Sequence, residues 1–580
     1  MSKTEREPLP NARRNALKLG AVSVATTALP AGLGLNQALA KDPPPAPNTV
    51  PFVDALPVYG AKPAEAALYP APGEYADTAN GECGRVAHQG WSNWLPSKFY
   101  NLYVKEAMHS FHLQLPPQKV WGYDGIVPGP TFVAKYGEPA LVRIHNQLPS
   151  NTTGYGSPEI STHLHNLHCA SESDGYAGDY YSATKSGPTL ATPGSYKDHH
   201  YPNCYANYDR FDTTNGDPRE ALGTLWYHDH RIDFTGPNVY RGMAGFYLLF
   251  DHIDSGNEND PSPTALRLPS GVGVYDIPIV VQDKLFDSGG YLAFDQFESK
   301  GLLGNKYVIN GKIQPYFQVK RRKYRFRLLD ASLSRFYELY LTYGGANQKF
   351  KFIANDGNLL PAPLEMNNVA FAPSERSDIV IDFSQYPAGA QLFLVNRLIQ
   401  TDGRGPEGAT TNIRNAAGDL VNTGVQILRF DVDGTPVTDN SRVPNVLRAL
   451  PPVNLKEVVK TRTFEFDKVN EIWTVNGKIF DPEVAVATPK RGTSEIWVLK
   501  GKGSWHHPVH IHMVEGRILS RNGKAPPAHE QGRNDVYVLK PGEEMRVLLR
   551  FSDFTGKYMM HCHNLTHEDH AMMIRFDVLP

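Results

Sequence analysis

"VWGYDGIVPGPTFVAKYGEPALVRIHNQLP" (Val120–Pro149) alternates apolar and polar residues between Gly and Pro turns. Short antiparallel strands have this pattern, because successive side chains of a strand face opposite sides. A related pattern returns in "NKYVINGKIQPYFQVKRRKYRFRLLDAS" (Asn305–Ser332) and in "EIWTVNGKIFDPEVAVATPKRGTSEIWVLKG" (Glu471–Gly501). Each unit places an NG or DG turn between apolar runs. Three such units predict an all-β chain of three repeated domains, each closed most simply as a β-sandwich. Two Pro- and Asn-rich stretches, Gly256–Gly271 and Asp433–Asn454, read as linkers. The expected domains are therefore residues 41–255, 272–432 and 455–580.

The bulk numbers agree. A chain of 580 residues exceeds one core at roughly 100 to 200 residues per domain. Its 50 Gly and 46 Pro suit many short strands. With 20% charged residues and a formal net charge of −2, there is no basic footprint for nucleic acid and no acidic tail. Arg13 and Arg14 precede an apolar, small-residue stretch that ends at Ala38-Leu39-Ala40. This reads as a signal peptide over residues 1–40, of the twin-arginine type, and predicts export to the periplasm or beyond. No other run reaches the roughly 18 apolar residues of a membrane span, so the mature chain is expected to be soluble. In an oxidising compartment a Cys169–Cys204 disulfide is expected, although spacing alone leaves partner choice among Cys83, Cys169 and Cys204 open.

The C-terminal stretch "HCHNLTHEDHAMM" (His561–Met573) combines imidazole, thiol and thioether, the donors that copper and zinc select. Ten of the 21 histidines fall in four groups, each with an H-x-H: His163 and His165; His228 and His230; His507, His510 and His512; His561, His563 and His567. On a strand, residues i and i+2 face one side, so four H-x-H pairs can present eight imidazoles to one shared centre. Two pairs lie in the first unit and two in the third, which places that centre between them. Cys562 points to the opposite face of its strand and must serve another metal. With His507, His567 and Met572 it makes a His2Cys set with a weak axial thioether, the composition of a blue-copper site.

"HLHN" and "SDGYAGDYYS", "LWYHDH", "HPVHIH" and "HCHNLTHEDHAMM", in this order, resemble the multicopper oxidase family, in particular its three-domain bacterial laccase and bilirubin oxidase branch. The resemblance covers essentially the mature chain. It implies three cupredoxin-like Greek-key sandwiches and four copper ions. The type 1 copper would be held by His507, Cys562, His567 and Met572. His163 and His510 would hold the type 2 copper. His165, His228, His230, His512, His561 and His563 would hold the type 3 pair. Electrons would enter at a near-surface type 1 site through His507 and pass from Cys562 to His561 and His563. Asp174 and Glu568 match the family's proton-supplying carboxylates. The partners implied are dioxygen and a small organic reductant or metal ion, acting on a monomer. Departures are His-Leu-His-Asn where a Gly is usual after the second histidine, His570 where relatives often carry an aromatic residue, and a longer Cys204–Gly223 segment.

The resulting expectation is a copper oxidase of laccase or bilirubin oxidase type, oxidising phenolic or similar donors. The alternative is a metallo-oxidase acting on Mn(II), Fe(II) or Cu(I); the Cu(I) version is weakened by the absence of a Met-rich segment. A non-enzymatic scaffold of the same fold conflicts with the intact ligand motifs. Structural zinc conflicts with one cysteine among ten clustered histidines. His168, His506 and His570, beside the motifs, are expected in supporting or solvent-facing roles.

Overall fold

The computed structural model describes residues 45–580 apart from 69–87, 151–153, 178–189, 209, 211–215 and 408–423. Arg13, Arg14, the rest of the expected signal segment and Cys83 lie outside the described residues. Strands dominate the rest, arranged as six sheets in three pairs, each pair drawn from one contiguous stretch of chain.

The first pair comprises two four-stranded sheets. One runs Gln118–Tyr123, Lys98–His109, Ala140–Asn146, Tyr196–Tyr201; the other runs Gly129–Lys135, Ala244–Phe250, Thr224–Asp229, Thr162–His165. The second pair has a seven-stranded and a six-stranded sheet between Asp276 and Asp433. The third has two five-stranded sheets between Val458 and Val578. Alternation in the sequence becomes the two faces of a sheet. In Glu544–Phe551, Met545, Val547, Leu549 and Phe551 are buried, while Glu544, Arg546, Leu548 and Arg550 are half-buried. Burying such side chains stabilises by about 1.5–3 kcal/mol each. Each pair encloses its own apolar core, centred on Val104, Phe132 and Tyr227, on Phe326, Leu339 and Phe430, and on Trp497, Val547 and Phe576.

The pairs also pack on one another. Trp226 and Phe246 of the first meet Val280 and Leu329 of the second. Tyr176 and Ile232 of the first meet Phe480, Met559 and Met573 of the third. Asp569 accepts hydrogen bonds from the Thr235 and Gly236 amides (both 2.9 Å), where the Thr235–Arg241 helix begins. A hairpin of the second pair, Phe350–Asn355 and Asn358–Met366, turns on Asp356 (φ 42°) and Gly357 (φ 80°). Both central residues at positive φ make the hairpin turn for which Asp-Gly is preferred. Its tip reaches the first pair, where the Gly357 carbonyl accepts from the Gly223 amide at 2.6 Å.

The disulfide expectation is corrected: Cys169 and Cys204 are free thiols. Both are buried, and burial pushes their pKa values up, which keeps them protonated; they pack as small apolar groups.

Candidate metal centre

Strand register assembles the histidines. Thr162–His165 pairs with Thr224–Asp229 so that His163 lies opposite His228. His507–Ile511 pairs with Gly556–Cys562 so that His510 lies opposite His561 and Val509 opposite Cys562. His230, His512 and His563 follow the ends of their strands, and none of the eight is more than 1% exposed. Asn166, where a Gly was usual, sits at φ 75°, a conformation Asn tolerates better than most residues. Gly175 (φ 76°) lies so close to the Thr162–His165 strand that a Cβ would stand 2.2 Å from the Thr162 carbonyl. Its predecessor, Asp174, is thereby held against the cluster.

Hydrogen bonding sorts the eight rings. Asp174 accepts from His512 Nδ1 at 2.7 Å, while the Glu568 carboxylate lies 2.8 Å from His561 Nδ1 and 3.2 Å from His230 Nδ1, whose hydrogen bonds go to the Cys562 carbonyl and the Thr235 hydroxyl (both 3.4 Å). With protons on those Nδ1 atoms, the Nε2 atoms of His230, His512 and His561 turn three lone pairs toward one another, 3.2–3.3 Å apart. A metal cation accepting all three lone pairs would satisfy that arrangement. His163 and His510 donate Nδ1–H to the carbonyls of Asp174 (2.5 Å) and Asp535 (2.9 Å), leaving both Nε2 atoms buried without partners. His228 donates Nδ1–H to the Asp229 carbonyl at 2.8 Å and leaves its Nε2 likewise bare. The ring centroids of His165 and His228 each lie 5.3 Å from that of His563, which has neither nitrogen hydrogen-bonded. The donor set and its orphaned nitrogens fit metal ions held by neutral imidazoles. Burial and the neighbouring rings hold His163, His230 and His512 neutral, and the His228 pKa is pushed down to about 3 by burial.

The second set lies on the far face of the Gly556–Cys562 strand. Cys562 Sγ is 3.5 Å from Nδ1 of both His507 and His567. The Leu565–Asp569 helix carries His567, and the Lys300 carbonyl, 3.1 Å from His567 Nε2, leaves Nδ1 free to face the thiol. Met572 is fully buried in the same core, its carbonyl accepting from the Cys562 amide (3.1 Å) and its amide donating to the His567 carbonyl (3.0 Å). His507 and His567 are both fully buried, with Trp473 3.8 Å over His567 and Trp505 edge-on to Trp473.

All twelve expected metal-binding residues thus fall in two buried groups, and Asp174 and Glu568 touch the first of them. His168, His506 and His570 touch neither: they bond Asp553, the Arg404 carbonyl and the Thr566 carbonyl. Sequence reasoning missed Asp535, whose carboxylate lies 3.2 Å from His165 Nε2, and Lys300 and Trp473 at the thiol set. None carries a local motif. The Cys204–Gly223 segment, where described, lines a cleft of about 190 Å³ with Arg517, Arg533 and Arg550, apart from both sets.

Family models described as "Multicopper oxidase" match residues 105–191 and 451–580. The chain is 34% identical over 503 residues to bilirubin oxidase of Albifimbria verrucaria, covering 83% of this chain and 77% of the relative. It is 31% identical over 533 residues to laccase of Bacillus subtilis, covering 83% and 94%. Among solved structures, a laccase from Pediococcus acidilactici superposes with a TM-score of 0.68 at 22% identity, covering 93% and 95% of the two chains. That likeness speaks for the fold.

Proposed function

The chain belongs to the multicopper oxidase family, and from that premise we propose that it oxidises phenolic or similar organic donors one electron at a time and reduces dioxygen to water. The observation that carries this reading is the covalent junction between two metal-binding groups. Cys562 of the thiol set is the chain neighbour of His561 and His563, whose rings lie in the histidine cluster. In this reading the thiol set holds a type 1 copper, His163 and His510 a type 2 copper, and the other six histidines a type 3 pair. Bound copper would supply one-electron redox chemistry and storage of the electrons that dioxygen needs.

The chain's own residues do the rest. Asp174, 1% exposed, accepts from His512 Nδ1 and fixes its tautomer, and Glu568, also 1% exposed, lies 2.8 and 3.2 Å from Nδ1 of His561 and His230, near enough to move protons. Burial holds the Asp174 carboxyl well above the usual range, so it can carry a proton at neutral pH. Trp473 and Trp505 exclude water from the thiol set, so a donor reaches it through this indole cover.

We further infer three domains divided at the two Pro-rich linkers, a monomer, and export by the twin-arginine route from the Arg13-Arg14 pattern. Among the described residues no helix is long and apolar enough to cross a membrane.

The test is copper loading followed by oxygen-uptake measurements with a phenol, bilirubin, Cu(I) and Mn(II) in turn. A blue thiolate-to-copper absorption and turnover with an organic donor are expected. Colourless, inactive protein would overturn the oxidase reading, and turnover with metal ions alone would replace it with the metallo-oxidase.

A further inference from the structure

The second pair of sheets supplies no ligand, yet one of its side chains ends against the histidine cluster. Arg376, on the Arg376–Asp382 strand, is 1% exposed and spends all five guanidinium N–H groups on named acceptors. Nη1 and Nη2 take the two carboxylate oxygens of Asp535 at 2.8 and 2.9 Å. Nη1 also donates to the Ser374 carbonyl (3.1 Å), Nη2 to the Asp356 carbonyl (2.8 Å), and Nε to the Thr224 carbonyl (3.2 Å). Asp535 in turn touches the cluster twice: its carbonyl accepts from His510 Nδ1 at 2.9 Å, and its Oδ2 lies 3.2 Å from His165 Nε2. The Asp356 carboxylate completes the clasp, accepting from the amides of Asp535 (3.3 Å) and Val536 (3.1 Å).

We propose that Arg376 is a positioning residue for the histidine cluster, acting from the ligand-free second pair of sheets to hold Asp535 against His510 and His165. The statement rests on the copper reading above and extends it to a pair of sheets that carries none of the twelve expected metal-binding residues. The bidentate pair fixes both the distance and the plane of the carboxylate, which one ammonium cannot do. Asp535 then fixes His510 through its main chain and faces Nε2 of His165 with its side chain. Through Thr224 the same guanidinium also grips the start of the strand that carries His228.

The experiment compares wild type, Arg376→Lys and Asp535→Asn as copper-loaded full-length proteins. The readouts are blue absorption for the thiol set, EPR of the copper held by His163 and His510, copper retained against a chelator, and melting temperature. Both variants are expected to keep the blue absorption. Their EPR signal should shift, and the cluster should hold copper about 10- to 100-fold more weakly. Asp535→Asn preserves side-chain shape and reads the contact even if the lysine variant folds poorly. Wild-type EPR and chelator resistance in both variants would overturn the proposal. So would loss of the blue absorption in step with the cluster, which marks general unfolding. Failure of wild type to turn blue would instead overturn the oxidase reading.

Discussion

Met572 shows how much one side chain can set. It is fully buried beside Cys562, and an axial thioether tunes the potential of a His2Cys copper. Met572→Leu is nearly volume-conserving and should cost less than about 1.5 kcal/mol of stability. Redox titration should show a potential raised on the order of 60 mV, about tenfold in a one-electron equilibrium, with the blue absorption kept. An unchanged potential would remove Met572 from the thiol set. His168 offers a pH test. Burial opposes its charge, but the hydrogen bond (2.7 Å) and charge of Asp553 outweigh that and raise its pKa. A raised histidine pKa stabilises fully below the unfolded value of about 6.5, and the contribution is lost as pH rises through the folded pKa. His168→Gln should therefore cost about 1.5–3 kcal/mol near pH 6 and less near pH 9, read as the melting-temperature gap to wild type. A constant gap would mean that the pair is not ionic. The eight histidines of the four H-x-H pairs were legible because period-two spacing in a strand is a local signal, and the other four donors from the Cys, His and Met packed into short stretches and their resemblance to a known family. Asp535 was not: it is identified by Arg376, 159 residues away, by His510 on the adjacent strand and by His165 of the first pair of sheets.

At the scale of elements, the Asp356-Gly357 turn joins a local signal to a distant purpose. The Asp-Gly pair between apolar runs can be read as a hairpin turn, as can the turns of the three repeated units. That the tip wedges between the first and third sheet pairs could not be read, since its partners at Gly223, Thr224, Asp535 and Val536 share no pattern with it. Gly357 is required twice: its φ is 80°, and a Cβ would stand 2.6 Å from the Thr224 carbonyl. Gly357→Ala should thus destabilise by more than about 1 kcal/mol in thermal unfolding, beyond a turn exposed to solvent. Because Thr224 opens the strand that bears His228, the copper-loaded variant should also lose copper from the histidine cluster before the thiol set. A neutral substitution would show that the tip yields without cost.

At the scale of the whole molecule, the first and third pairs of sheets share one histidine cluster. His163, His165, His228 and His230 come from the first pair of sheets, and His510, His512, His561 and His563 from the third. Without metal, the bare nitrogens of each face those of the other across their contact. Metal bound there adds stability only to the assembled state, by about 4 kcal/mol at a free concentration a thousand times the dissociation constant. Removing copper should therefore lower the melting temperature and loosen the contact. The connecting stretch 433–454, where Val446 is 74% exposed, should then be cut sooner in limited proteolysis. Returning copper should restore both protection and the blue absorption. Zinc, which accepts the same imidazoles but carries no redox chemistry, should restore protection while the protein stays colourless. If melting temperature and cleavage are the same with and without metal, apolar contacts such as that of Tyr176 and Ile232 with Phe480 and Met573 hold the two pairs together unaided. The ions would then be passengers of a rigid scaffold, not the staple between its ends.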